Sequence, residues 1–137
     1  VAVKNREEAI RFAGKLLYDA GIVEKRYIEA MISSLNEFGP YIVVTRNIAL
    51  PHARPEEGAI KPGLSIVTLS TPIPFGNKQN DPVKYIFCLS AVDNDQHIKV
   101  MSELAEILDD KHFNRLLETA KDKHEILDYI RERNDWQ

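Results

Sequence analysis

Residues 39–57 read GPYIVVTRNIALPHARPEE, and the fold turns on how that stretch is taken. Gly39-Pro40 ends whatever precedes it. The β-branched run from Tyr41 to Thr45 favours a pleated, half-buried strand, and Ala49-Leu50 is a second short extended piece that delivers His52. Proline at 51 and 55 prevents regular ladder pairing around the His-Ala-Arg centre. His52 is therefore expected on a fixed, irregular rim, with Arg54 two residues on. An imidazole with an ordinary pKa of about 6.5 is largely neutral at physiological pH, so one ring nitrogen holds a lone pair able to attack an electrophile. A cation such as Arg54 beside it suits an anionic group, a phosphate or a carboxylate.

Upstream of this stretch the pattern is helical. Asn5 with Glu8 forms a capping-box-like start, and Ala9, Ile10, Phe12, Ala13, Leu16 and Leu17 recur with helical spacing, which predicts a helix over 6–20 that stops at Gly21. A second helix is predicted from Glu24 to Phe38, with Tyr27, Ile28, Met31, Ile32 and Leu35 as its apolar stripe and Gly39 as its stop.

Downstream, Pro55 to Gly63 reads as a mostly polar loop. Leu64 to Leu69 predicts a strand that continues through Thr71–Phe75, where Pro72 and Pro74 demote it to an edge or a departing segment. Gly76 to Asp81 is a turn. Val83 to Val92 is nearly continuous in apolar residues and is the candidate central strand, covered on both faces. Asp93 with Gln96 caps a helix to Leu108, with Ile98, Met101, Leu104, Ala105 and Leu108 as its stripe. Two short helices follow, around Phe113–Ala120 and Lys123–Arg133. The expectation is an α/β single domain over 1–137, a small mixed sheet sandwiched between helices.

Composition narrows the function classes. In 137 residues, 18 Lys and Arg stand against 21 Asp and Glu, so the chain carries no global basic footprint for nucleic acid. The single cysteine, Cys88, lies in an apolar run, reads as a buried core thiol and fits a reducing cytoplasm. No window is apolar enough to span a membrane and no signal-peptide pattern opens the chain, so a soluble, cytoplasmic protein is expected. Beginning at Val1 without methionine, it is compatible with a domain excised from a longer chain.

Two of the four histidines occupy positions that suggest chemistry. His97 falls in the first turn of the helix after the central strand, where backbone N–H groups favour an anion, and His52 lies on the other rim. If the fold joins them, one imidazole can act as nucleophile and the other can donate to a bound phosphoryl group. His112 and His124 sit in polar sequence and read as solvated. Rival readings stay open: a metal site from His52, His97, Asp93 and Asp95, which no ligand spacing supports, and a Ser-His-Asp hydrolase, for which no G-x-S-x-G exists. No nucleotide loop of the Walker or G-x-G-x-x-G kind is present. The basic residues of the first two helices are interleaved with acidic ones and read as a solvated face. The apolar triplet Ile73–Phe75 is a candidate docking patch.

The run GPYIV, then IALPHARPEEG, then NDPV before an apolar strand, then AVDNDQH opening a helix, together resembles the IIA component of the bacterial phosphoenolpyruvate-dependent sugar phosphotransferase system. The likeness is to the mannitol/fructose-type superfamily, and to its ascorbate-type branch in particular, over about Asn5 to Arg133. It implies a phosphoryl relay. The IIA histidine takes a phosphoryl group from the phosphocarrier HPr and passes it to a cysteine of a cognate IIB protein, which serves a membrane IIC; neither cofactor nor metal is needed. His52 matches the phosphorylated position and His97 the second active-site histidine, which stabilises the phosphoryl group. Mannitol- and fructose-type members carry an arginine on the second helix, where this chain reads MISSLNE with Ser34 at that place, and Arg54 is the candidate replacement cation. A regulatory IIA-like domain of a transcriptional antiterminator or activator is the alternative. Sugar identity is not written in these residues.

Overall fold

The computed structural model describes residues 2–40, 42–108, 110–119 and 126. Two amphipathic helices come first, α1 (Arg6–Asp19) and α2 (Lys25–Phe38). The cap anticipated at Asn5 is made: its side-chain oxygen accepts from the Glu8 N–H at 2.9 Å. Gly39 closes α2 at φ +87°, a conformation that a Cβ would strain, and its N–H bonds the Leu35 carbonyl. The helices approach closely at Gly14, where a Cβ would come within 2.9 Å of Ile28 Cγ1. That approach corrects the stripe of α1. Ala9, Ile10, Ala13, Gly14 and Leu17 are buried, whereas Phe12 and Leu16 lie on the flank and are exposed.

Four strands form one mixed sheet: β1 (Val43–Thr45), β2 (Ile48–Ala49), β3 (Gly63–Ile73) and β4 (Val83–Ser90), in the order β1-β2-β4-β3. β1 is shorter than the run Tyr41–Thr45 anticipated, since Ile42 lies in a turn and Tyr41 is outside the described residues. β2 begins one residue earlier than expected, at Ile48, and Leu50 instead sends its N–H to the Ile42 carbonyl. Asn47, at φ +68°, makes the β1–β2 turn and ties it to β4: its carbonyl accepts from Lys84 and Tyr85 N–H groups. β3 is the edge strand foreseen from its prolines, with an irregular register between Thr68 and Ile73. β4 is the interior strand foreseen from its apolar run; every residue of it except Lys84 is buried.

Two expectations around the strands are corrected. The 55–63 segment is more ordered than a polar loop, because it contains a 3-10 turn, Pro55–Glu57, and is bonded to the α1–α2 connection through Glu24 N–H to Gly58 O and Ile60 N–H to Ile22 O. Phe75 is 1% exposed, part of the core, so Ile73–Phe75 is not a surface patch.

By contact the chain falls into two compact units, 1–97 and 98–137. In the first, α1 packs on β3 and β4, and the buried Ser65 hydroxyl donates to the Ala13 carbonyl at 2.8 Å. Cys88 is a buried core thiol, pushed up to about 12 by burial, with Met31 sulfur 3.6 Å away. α3 (Asn94–Leu108) runs from the first unit into the second, which also holds α4 (Lys111–Thr119). α4 begins two residues before the predicted Phe113. In α3 the buried residues are Leu104, Ile107 and Leu108; Ile98 is 70% exposed, because six residues of helix put it about 120° around from Leu104. The helix anticipated at Lys123–Arg133 lies outside the described residues except Ile126, which is buried. Four helices and one mixed four-stranded sheet are thus present among the described residues, the α/β arrangement that the sequence predicts.

Candidate functional site

β2 and β4 run parallel, pairing Ile48 with Tyr85 and Ala49 with Ile86. Parallel neighbours end at the same edge of a sheet, and crevices at the carboxyl ends of such strands are common places for ligands. The chain leaving β2 carries Pro51 and His52; the chain leaving β4 carries Asp93 and His97. The parallel pairing therefore brings together two histidines that are far apart in sequence. Their ring centroids lie 5.2 Å apart and the rings meet edge to face at 84°.

Each histidine is held by backbone. Nδ1 of His52 is 2.8 Å from the carbonyl oxygen of Leu50. A carbonyl can only accept, so Nδ1 carries the proton and the lone pair is on Nε2. The peptide units on either side of His52 are fixed as well. The Leu89 N–H donates to the Pro51 carbonyl at 3.0 Å, and the Ala53 N–H donates to the Tyr27 hydroxyl at 3.0 Å. That hydroxyl in turn lies 2.7 Å from the Leu89 carbonyl.

His97 owes its place to the start of α3. The Asp93 carboxylate accepts from the Gln96 N–H at 2.7 Å, and the Gln96 side-chain oxygen accepts from the Val92 N–H at 2.9 Å. This is the cap read from Asp93 and Gln96, with its reciprocal bond shifted by one residue. The His97 N–H bonds the Asp93 carbonyl, so His97 is within the first turn as anticipated.

The electrostatics favour neutral rings. Burial holds the pKa of His52 below its ordinary value; the Leu50 carbonyl opposes this, and the neighbouring His97 adds to it. Burial also lowers His97, with the Glu56 carboxylate opposing. A neutral His52 with its proton on Nδ1 presents a nucleophilic Nε2. A neutral His97 can still donate one N–H to an oxygen held between the rings.

Arg54 is exposed and stands at the start of the 3-10 turn, where its carbonyl accepts from the Glu57 N–H. Its guanidinium makes no ion pair among the described residues. Ser34 is half-buried on α2. The metal reading gains no ligand set: among the described residues no three His, Cys, Asp or Glu side chains gather as ligands. Sequence reasoning missed Tyr27 and the Leu50 carbonyl. Periodicity places Tyr27 simply in an apolar stripe, although a phenol within such a stripe is itself a sign that its hydroxyl has a buried partner.

Residues 1–133 match the family model described as phosphoenolpyruvate-dependent sugar phosphotransferase system, EIIA 2. The ascorbate-specific PTS system EIIA component of Escherichia coli K12 is 38% identical over 126 residues, 90% of this chain and 81% of that protein. Among solved structures, the mannitol-specific cryptic phosphotransferase enzyme IIA CmtB from Escherichia coli is 36% identical with a TM-score of 0.81, over 94% of this chain and 87% of that one. Enzyme IIAMTL from Escherichia coli, solved in complex with phosphorylated enzyme IIBMTL, is 28% identical with a TM-score of 0.82, over 96% and 91%.

Proposed function

The chain belongs to the type-2 EIIA family of the phosphoenolpyruvate-dependent sugar phosphotransferase system, and from that premise we propose that His52 is the residue on which it carries the phosphoryl group. As a member of that family it is a phosphotransferase of the relay kind, which takes up a phosphoryl group and hands it on. The observation that supports His52 is its ring geometry: Nδ1–H bound to the Leu50 carbonyl, the lone pair on Nε2, and His97 edge-on at 5.2 Å.

In the first transfer, Nε2 attacks the phosphorus of phosphorylated HPr in line with the donor nitrogen. The N–P bond to HPr breaks, its electron pair stays on the donor imidazole, and a new N–P bond forms to His52. Such a transition state is loose and asks mainly for alignment and charge stabilisation. His97 supplies an N–H to a phosphoryl oxygen, and Arg54, exposed two residues from His52, supplies positive charge. In the second transfer a cysteine sulfur of a cognate IIB attacks the phosphorus and the electron pair returns to Nε2. The solved complex of IIAMTL with phosphorylated IIBMTL supports a IIB as the receiving partner. HPr as donor, a membrane IIC beyond IIB, and a cytoplasmic site of action complete the proposal, with residues 1–137 acting as one EIIA unit. No helix among the described residues is long and apolar enough to cross a membrane. The K12 relative is by name a component of an ascorbate-specific PTS system, which favours relay over the regulatory alternative.

The test is intact mass after incubation with phosphoenolpyruvate, enzyme I and HPr. Wild type should gain one acid-labile phosphoryl group and His52→Ala none; Arg54→Ala should gain it more slowly with its fold intact. Phosphorylation of His52→Ala would move the carrier elsewhere, and unchanged kinetics in Arg54→Ala would remove that residue from the mechanism.

A further inference from the structure

We propose that Tyr27 is a positioning residue for phosphoryl transfer, holding His52 against His97 through its hydroxyl; this rests on His52 being the phosphoryl acceptor. Tyr27 is 1% exposed, near the start of α2, and its ring is part of the core. A phenol has one proton. Of its two acceptors, the Leu89 carbonyl at 2.7 Å is nearer than the Ala53 carbonyl at 3.1 Å, so the hydroxyl donates to Leu89 and accepts from the Ala53 N–H.

Leu89 thereby fixes both peptide units that flank His52. Its N–H holds the Pro51 carbonyl directly, and its carbonyl holds the Ala53 N–H by way of the tyrosine oxygen. Leu89 is also near the end of β4, the strand that leads to His97. The hydroxyl is thus a spacer between the loop of one histidine and the strand that delivers the other. Without it, the Ala53 N–H and Leu89 carbonyl either lose that partner or draw together, and drawing together moves His52. Misplacement of a reacting group by about 1 Å can cost on the order of a hundredfold in rate.

Tyr27→Phe keeps the ring that fills the core and removes the hydroxyl spacer. With phosphorylated HPr as donor, the transfer rate at saturation should fall roughly ten- to a hundredfold, while the half-saturating HPr concentration stays near that of wild type. Ser65→Ala is the matched control, since it removes another buried hydroxyl, bonded to the Ala13 carbonyl and the Cys88 thiol rather than to either peptide unit that flanks His52. It should lose stability and keep the wild-type rate. A Tyr27→Phe protein that transfers at the wild-type rate would overturn the proposal, as would parallel losses in both variants. Should Tyr27→Phe fail to fold, hydrogen exchange on wild type decides. The Ala53 amide should be protected as well as that of Leu89, and an unprotected Ala53 amide would refute the tie. Failure of wild type to become phosphorylated would instead remove the His52 assignment on which the proposal stands.

Discussion

Asp93 offers a separation between what the start of α3 does for stability and what it does for chemistry. Its carboxylate accepts from the Gln96 N–H at 2.7 Å, one turn from His97. Asp93→Ala removes that bond but leaves the Gln96 side chain able to hold the Val92 N–H, so the cost should lie near the middle of the capping range, about 1 kcal/mol. For a chain of 137 residues that is a fall of about 3–5 °C in Tm. One kcal/mol is about a fivefold change in an equilibrium. If about nine molecules in ten hold the first turn closed, fivefold more opening still leaves roughly two-thirds closed. Transfer should therefore slow less than about twofold, and the loss of a negative charge beside the proposed phosphoryl site acts in the opposite direction. Urea unfolding and single-turnover phosphorylation, run on wild type, Asp93→Ala and Asp93→Ser, measure both quantities. The serine should restore most of the stability, since it caps nearly as well. An alanine variant as stable as wild type would show that the cap carries no load. A tenfold loss of transfer with only the small loss of stability would mean that Asp93 acts on the phosphoryl group itself.

Two further outcomes follow from the packing and the charges. The pKa of His52 is held down by burial and then by His97, and that of His97 by burial, so the unfolded chain binds more protons than the native one in acid. Their contribution is fully present above the ordinary histidine value of about 6.5 and is lost as pH falls through the depressed native values. The urea midpoint should drop across that window in wild type and drop less in His52→Gln; an equal drop would refute the assignment. Gly14→Ala gains about 1 kcal/mol of helix propensity but presses a methyl to 2.9 Å from Ile28 Cγ1 and 3.1 Å from Met31 Cε, and overpacking costs about 1–3 kcal/mol. The net should be destabilising by about 1 kcal/mol on urea unfolding. A stabilised variant would mean that α1 and α2 part easily.

Much of this protein was legible locally, because the forces concerned act within a few residues. Helical spacing, the Asn5 and Asp93 caps, the Gly39 stop, the prolines of the edge strand and the apolar run of the interior strand each state one element through the chain's own sterics and hydrogen bonds. The motif around His52 also marked the candidate nucleophile. Its environment was another matter. The stripes differ from the buried faces at Phe12, Leu16, Ile98 and Ala105, since periodicity shows that a helix has a face but not how wide the neighbouring surface is. The Ile73–Phe75 triplet reads as a patch by composition, yet Phe75 is core, since composition does not say what folds over a segment that leaves a strand. Above all, the parallel pairing of β2 with β4 joins segments separated by β3 and its flanking loops, and no local pattern specifies which strands become neighbours. That pairing sets His52 beside His97. It also lets Leu89 and the Tyr27 hydroxyl hold the loop, and leaves the Leu50 carbonyl where it chooses the imidazole tautomer. The proton on Nδ1 of His52 is set by a carbonyl only two residues away, once the loop is held. The sequence alone determined which side chains carry ring nitrogens, hydroxyls and charge; the tertiary structure decided that His97 stands opposite His52 and that Leu89 and Tyr27 hold its loop, because contacts across long sequence separations exist only once the sheet has formed.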